Sequence, residues 1–261
     1  MTPSDPRAES LPAPLAGRRA LVTGAGHRLG RAIALALAGA GADLVVHYLR
    51  SDEGARETAD AARRLGRDAA LRRADLARPE AIAELFEVLA GEPAGLDILV
   101  NSAASFESAP FEAIDADAWD AVMAVNLRAP FLCTRHAAPL LRAGADPGVV
   151  VNVADLSGLT PWRRFAHHSV SKAGLIHLTR AAAKELGPEI RVNAVVPGPI
   201  LPPPGEDPEG DAWRRRGDRL PLRRTGDPAD VGAAVVFLAT NRYVTGECIT
   251  VDGGEHLLTG R

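Results

Sequence analysis

Cysteine is nearly absent from this chain: Cys133 and Cys248 are the only two in 261 residues. That excludes a disulfide framework and a cysteine metal cluster, and it points to a reducing compartment, the cytoplasm. No metal is expected. No apolar run approaches the roughly 20 residues of a bilayer span, so no membrane partner is expected. Residues 1–17, rich in Pro, Ser and charge, lack the apolar stretch of a secretory signal and read as a flexible tail. The net charge of −3 offers no basic surplus for nucleic acid. Lysine is the scarcest charged residue, with only Lys172 and Lys184 in a chain that otherwise uses arginine. An ammonium kept at position 172 suggests a chemical need. Arginine cannot give up its proton or place so compact a charge in a tight site.

What the chain does have is apolar residues, 46% of the total, enough to bury a large core in one domain spanning 18–261. Short apolar runs at 19–24, 43–48, 68–73, 96–101, 148–153, 190–196 and 248–251 read as strands. Between them, helical spacing runs over 28–40, 52–65, 79–89, 116–141, 165–186 and 228–239. Strands apolar on both faces, alternating with helices, predict an α/β fold. It is a single Rossmann-fold domain, a doubly wound parallel sheet of about seven strands with helices on both faces. The Pro-rich stretch 197–211 is too long for an ordinary connection and reads as a mobile lid or substrate loop, with 199–218 as the candidate lid.

The turn Thr23-Gly24-Ala25-Gly26-His27-Arg28-Leu29-Gly30 falls between the first strand and the first helix. Glycines there let backbone approach a pyrophosphate, and free N–H groups at the helix start offer an anion site. The second strand ends His47-Tyr48-Leu49-Arg50-Ser51, with no carboxylate before Asp52 to take ribose hydroxyls. Arg50 and Ser51 can instead bind a 2′-phosphate, with His27 or Arg28 adding positive charge. The cofactor expected is therefore NADP(H).

Together these pieces resemble the short-chain dehydrogenase/reductase family over nearly all of 18–255. The family's Thr-Gly-x-x-x-Gly-x-Gly pattern is met at Thr23, Gly24 and Gly30, with Arg28 in place of the middle glycine. The resemblance implies cofactor contacts from Asp75 and Leu76 beside an adenine, and from the turn Asn101-Ser102-Ala103-Ala104, chiefly Asn101 and Ala103. It also implies them from Pro197 and Gly198 beside a nicotinamide, and from Lys172 on its ribose. Asn126 matches the helix asparagine that supports a proton-relay water. The stretch from Tyr243 to Gly254 is similar to the common C-terminal strand. Family members are commonly tetramers, which implies a homotetramer joined through the two long helices and the last strand.

Pteridine reductases are the branch it most resembles. They share an Arg-Leu-Gly turn, a His-Tyr-x-Arg-Ser strand end and a Phe after the Asn-rich turn, met here at Arg28, His47 and Phe106. They also carry aspartate thirteen residues before the catalytic tyrosine, and Asp155 stands thirteen before His168. The resemblance implies that Phe106 stacks a pterin-like ring on the nicotinamide and that Arg28 faces both ring and pyrophosphate. Small-molecule reduction of a C=N or C=O bond follows as the expected activity.

The tyrosine itself is replaced by His168, one helical turn before Lys172. Three readings stand open. His168 is the proton donor or relay between Asp155 and Lys172; or Asp155 works with a water or ribose hydroxyl while His168 fills space; or the scaffold binds nucleotide without catalysis. A ketone or 3-oxoacyl reductase is the rival enzyme, with Ser157 a substitute for the missing serine. His167 lies about 100° around the helix and reads as a surface residue.

Overall fold

A computed structural model describes residues 13–144, 146–203 and 205–258. Seven strands form one parallel sheet in the order β3-β2-β1-β4-β5-β6-β7. They are β1 (Arg19–Val22), β2 (Asp43–Tyr48), β3 (Ala69–Arg73), β4 (Ile98–Asn101), β5 (Gly148–Val153), β6 (Ile190–Pro197) and β7 (Cys248–Val251). Every residue of β1, β4, β5 and β6 is buried, as central strands covered on both faces must be.

Side chains alternate across the pleat, and the core splits accordingly. Val149, Val151 and Val153 join Val22 and Val46 beneath α1 (Arg28–Gly39), α2 (Asp52–Arg64) and α8 (Pro228–Thr240). Val150 joins Leu21, Val45 and Leu99 on the other face, under α3 (Pro79–Ala90) and α5 (Ala129–Arg142). On the two faces α1 packs on α8 and α3 on α5. Chain order reverses between β1 and β4, which opens a crevice at their carboxyl ends.

Four expectations need correction, three of them in the course of the chain. Residues 1–12 of the expected tail lie outside the described residues, but Leu15 is buried in the core and its N–H bonds to Ala40. The expected helix 116–141 is not uniform. It runs as α4 (Ala116–Met123), widens into a π turn at Ala124–Arg128, and continues as α5. Pro130 lacks the N–H that would bond the Asn126 carbonyl, and the Asn126 side chain is drawn out by the Ser105 backbone. The expected loop also contains a helix, α7 (Asp211–Asp218), anchored by buried Trp213.

Helix α6 (Ala166–Leu186) lies beside the π turn, and its N-terminal end is buried nearly all round, at 167, 168, 169, 171 and 172. His167 is therefore buried and not on the surface, because two sides of this helix end are covered at once. Its Nδ1 has no hydrogen-bond partner among the described residues. No helix among them is long and apolar enough to cross a membrane, and no group of His, Cys, Asp and Glu is placed to hold a metal.

Candidate active site

The carboxyl ends of β1, β4, β5 and β6 bring most of the expected site residues to one edge of the sheet. At β1, Gly24 takes a left-handed φ of +67°, and a Cβ there would stand 3.0 Å from the Ala103 Cα. A Cβ on Gly26 would meet the Ser51 Oγ at 2.2 Å, and one on Gly30 the Gly24 carbonyl at 2.3 Å. The turn is thus pressed between β2 and β4 with no room for side chains. Thr23 Oγ1 accepts from the N–H groups of Ser102 and Ala103, at 2.9 and 3.0 Å, and so ties the two turns together.

The first turn of α1 has no side-chain cap and no acidic residue. Its N–H groups face outward beside exposed His27 and Arg28, with exposed Arg50 and half-buried Ser51 at the end of β2. This cradle fits a dinucleotide pyrophosphate and a 2′-phosphate. Leu29 is half-buried against the core, and Gly30 and Pro197 are buried, so they shape the cleft with backbone. Gly198 is required by Asp252, whose Cβ would lie 2.5 Å from an added Cβ.

Several expected cofactor contacts turn inward. His47 is buried: its Nδ1 accepts from the Gly24 N–H at 3.2 Å, and Nε2–H donates to the Ala74 carbonyl at 3.1 Å. Burial pushes its pKa down to about 4, partly opposed by the Ala74 bond, so the ring is a neutral strut under the glycine turn. Asn101 donates to Asn152 Oδ1 at 2.8 Å inside the core, and the Leu76 side chain packs in the second core cluster. Tyr48 donates to Asp52 Oδ1 at 2.7 Å, and Asp75 Oδ1 accepts from the Ala77 N–H at 3.0 Å. Those positions can meet a ligand only through backbone or through the exposed part of the side chain.

Arg28 differs from the expectation in another way. Its φ of 50° is left-handed, the conformation that suits the glycine it replaces. Its guanidinium donates to the Pro202 carbonyl at 2.7 Å and so ties the nucleotide turn to the Pro-rich loop across the cleft.

The proton-handling cluster is compact. Asp155 caps the short turn Leu156–Gly158 after β5, and its Oδ1 accepts from the Ser157 N–H at 2.9 Å and hydroxyl at 2.5 Å. Ser157 is buried and committed to that role. Asp155 Oδ2 accepts from His168 Nε2 at 2.6 Å. His168 Nδ1 lies 3.1 Å from the Ser105 carbonyl and 3.3 Å from the Asn126 amide nitrogen. That amide has two hydrogens and nearer acceptors in Ser105 O at 2.9 Å and Ser171 Oγ at 3.1 Å. Nε2 of the ring therefore faces the carboxylate, and Nδ1 faces the Ser105 carbonyl and the Asn126 amide together. Lys172 Nζ donates to the Val153 carbonyl at 2.8 Å.

Burial alone would raise the Asp155 carboxyl, but the His168 hydrogen bond, the Lys172 ammonium and Ser157 outweigh it and hold the group below the ordinary aspartate range. Burial lowers the Lys172 pKa, against the opposing pull of Asp155. His168 is only 1% exposed while the Asp155 side chain is 17% exposed. The carboxylate, not the ring, is the end of the cluster that reaches the cleft.

Phe106 is 55% exposed, so it is no core aromatic. It sits edge-on to His168 at 4.9 Å and against Phe165 at 4.8 Å, with Trp162 at 6.3 Å. Trp162, Phe165 and Ser105 were not anticipated from the sequence. The signal available was two aromatics crowded between Asp155 and His168 in a chain with only 4% aromatic residues.

Comparison with known proteins agrees with this fold. Residues 24–256 match the family model described as Enoyl-(Acyl carrier protein) reductase. The chain is 36% identical over 253 residues to 3beta-hydroxysteroid dehydrogenase 1 of Eggerthella lenta, covering 94% of this chain and 96% of that protein. A short chain dehydrogenase from Burkholderia cenocepacia J2315, solved in complex with NADP, is 34% identical with a TM-score of 0.84, over 92% of this chain and 98% of that one. FolM alternative dihydrofolate reductase 1 from Brucella canis, complexed with NADP, is 32% identical with a TM-score of 0.85, over 95% and 97% of the two chains.

Proposed function

The chain belongs to the short-chain dehydrogenase/reductase family and is an NADP(H)-dependent reductase, and on that premise we propose that its substrate is a pterin-like ring reduced at a C=N bond. The observation that carries this reading is the Asp155–His168 pair, bonded at 2.6 Å beneath the exposed Phe106 ring. When bound, the reduced nicotinamide supplies the hydride. Addition to C=N or C=O leaves negative charge on the heteroatom, which a positioned acid must relieve. Asp155 faces the cleft and delivers the proton; His168 Nε2–H, buried behind it, supplies that carboxylate. Asn126 and the Ser105 carbonyl hold the ring, and Lys172 fixes the charge of the cluster from below. An imine nitrogen is far more basic than a ketone oxygen, so a carboxylate–imidazole pair suffices where a ketone reductase relies on a phenol. Phe106, with Phe165 and Trp162 behind it, offers a flat ring a stacking face. Likeness to the Brucella canis FolM protein supports the same substrate class.

The cofactor is held by the 24–30 turn, by Arg50 and Ser51 at the 2′-phosphate, and by Asp75 and the backbone at Ala103, Pro197 and Gly198. Exposed Trp119, Phe131 and Val170 on α4, α5 and α6 support a homotetramer joined through those helices, and free Cys133 and Cys248 support a cytoplasmic setting. Reduction of a ketone is the second reading, supported by the hydroxysteroid dehydrogenase relative. Purified protein with NADPH should turn over dihydropterin, read as loss of NADPH absorbance, and should leave steroid ketones untouched. Normal NADPH binding with no dihydropterin turnover refutes the substrate assignment.

A further inference from the structure

At the end of the sheet opposite the cleft lies a cavity of about 230 Å³ whose lining includes Arg18, Asp146, Pro147, Arg191, Thr240 and Arg242. Arg18 immediately precedes β1, Pro147 precedes β5, Arg191 is the second residue of β6, and Thr240 closes α8. The six residues of β5 set this cavity roughly 20 Å from Asp155, at about 3.3 Å per residue. It is therefore separate from the cofactor cradle and the proton-handling cluster.

Three guanidiniums line it. The side chains of Arg242 and Asp146 are 70% and 43% exposed and form a mouth open to solvent, while Arg18, at 16%, and buried Arg191 lie deeper. Asp146 pairs with Arg242 and, at 3.6 Å, with Arg18 Nη1. Asp97 lies 3.2 Å from Arg18 Nε and also accepts from the Arg19 N–H at 2.8 Å. Two carboxylates thus answer three arginines, and one positive charge is left over. In Arg191, Nη1 donates to the carbonyls of Leu238 at 2.8 Å and Val244 at 3.1 Å, and Nη2 to that of Ala239 at 3.1 Å. Holding the end of α8 uses those three of its five N–H groups, which leaves Nε–H and one Nη2 hydrogen for another acceptor. Burial, and then the positive charge of Arg18 beside it, push the Arg191 pKa below the ordinary arginine range. An anion in the cavity removes that repulsion and takes the spare donors.

We infer that this cavity is an anion site whose ligand is a phosphate group, free or as the head of a small phosphate ester. Such a group brings nearly two negative charges at neutral pH and several acceptor oxygens, the match for arginine forks. Neutral and cationic molecules gain nothing from this wall. The volume is many times the roughly 10–15 Å³ that one water needs, yet short of the roughly 300–1,000 Å³ of pockets for drug-sized ligands. The site is independent of the pterin reading and goes beyond it.

The test titrates inorganic phosphate into the NADPH-saturated protein by calorimetry, at fixed ionic strength in sodium chloride. Saturating NADPH fills the 24–30 turn and the 2′-phosphate contacts, so phosphate cannot bind there. One phosphate per chain is expected. Arg242→Gln should weaken it about tenfold, the effect of losing one hydrogen bond to a charged group. Asp146→Asn should tighten it about fivefold, the effect of lifting one repulsion at about 4 Å in water. Thermal melting and NADPH titration establish that both variants fold and keep the cofactor site. Glycerol 3-phosphate then separates the two sources: equal or tighter binding assigns the site to an ester, weaker binding to the free ion. No saturable binding at millimolar phosphate, or an affinity that neither variant moves, overturns the site.

Discussion

Replacing His168 by phenylalanine isolates the pair on which the chemistry depends. The ring shape is kept, and two polar contacts go: the 2.6 Å bond to Asp155 and the 3.1 Å contact with the Ser105 carbonyl. A hydrogen bond to a charged group contributes about 1.5–3 kcal/mol and a neutral one about 1 kcal/mol. Offsets exist on both sides. Ser105 O keeps its bond from Asn126, Asp155 keeps Ser157, and the new ring packs against Phe106. A net loss of about 2 kcal/mol remains, near the lower end of what one charged hydrogen bond contributes. In a chain of this size that lowers Tm by about 4–8 °C.

The pH dependence carries the sharper test. The Asp155 carboxyl is held below its ordinary value of about 3.9, so its folded state binds fewer protons than the unfolded chain near that pH. A depressed carboxyl stabilises the fold above its unfolded pKa, and that stabilisation is lost as pH falls through the lower folded value. His168 is a leading source of the depression. The Tm gap between parent and His168→Phe should therefore be full above about pH 5 and shrink below about pH 4. Calorimetric melts across that range measure it. Equal melting at neutral pH, or a gap that stays constant into acid, refutes the description of Asp155 as a carboxylate held by His168.

Three further outcomes follow from the same geometry. Arg50→Ala should weaken NADPH binding about tenfold and leave NADH binding nearly unchanged, measured by cofactor fluorescence, because only the 2′-phosphate loses its guanidinium. Gly26→Ala drives a Cβ to 2.2 Å from Ser51 Oγ and 2.9 Å from its carbonyl. The turn must deform, at a cost of about 1–3 kcal/mol with loss of NADPH affinity; unaltered binding contradicts the cradle. Arg28→Gly relieves a left-handed residue at about 1–2 kcal/mol but removes the bond to Pro202, so Tm should move little while proteolysis of 199–210 accelerates several-fold. An unchanged digestion rate contradicts the tether.

Much of the scaffold is legible in the sequence, because continuous runs such as Val149-Val150-Val151 allow little but a central strand between helical layers. The tightness of the glycine turn is legible too: close backbone approach leaves glycine where nothing else fits. What sequence does not carry is the direction of a polar side chain. His47 reads as a ligand contact at a strand end, yet its two nitrogens are used by Gly24 and Ala74. His167 and His168 are adjacent, and only packing against the π turn shows that both are buried. Helix α7 escapes a periodicity search because Trp213 is its one large apolar residue among charges. Trp162 and Phe165 meet Phe106 only through tertiary structure.

Single-turnover reduction of dihydropterin by Asp155→Asn bears most directly on the origin of the proton. The amide keeps the shape of the side chain but cannot carry the proton from His168 to the cleft. NADPH affinity should stay within about twofold, and the reduction rate should fall about 10²–10⁴-fold, the range for loss of a positioned acid. A variant that binds NADPH normally and reduces dihydropterin at the parent rate contradicts the account, and the proton then comes from elsewhere.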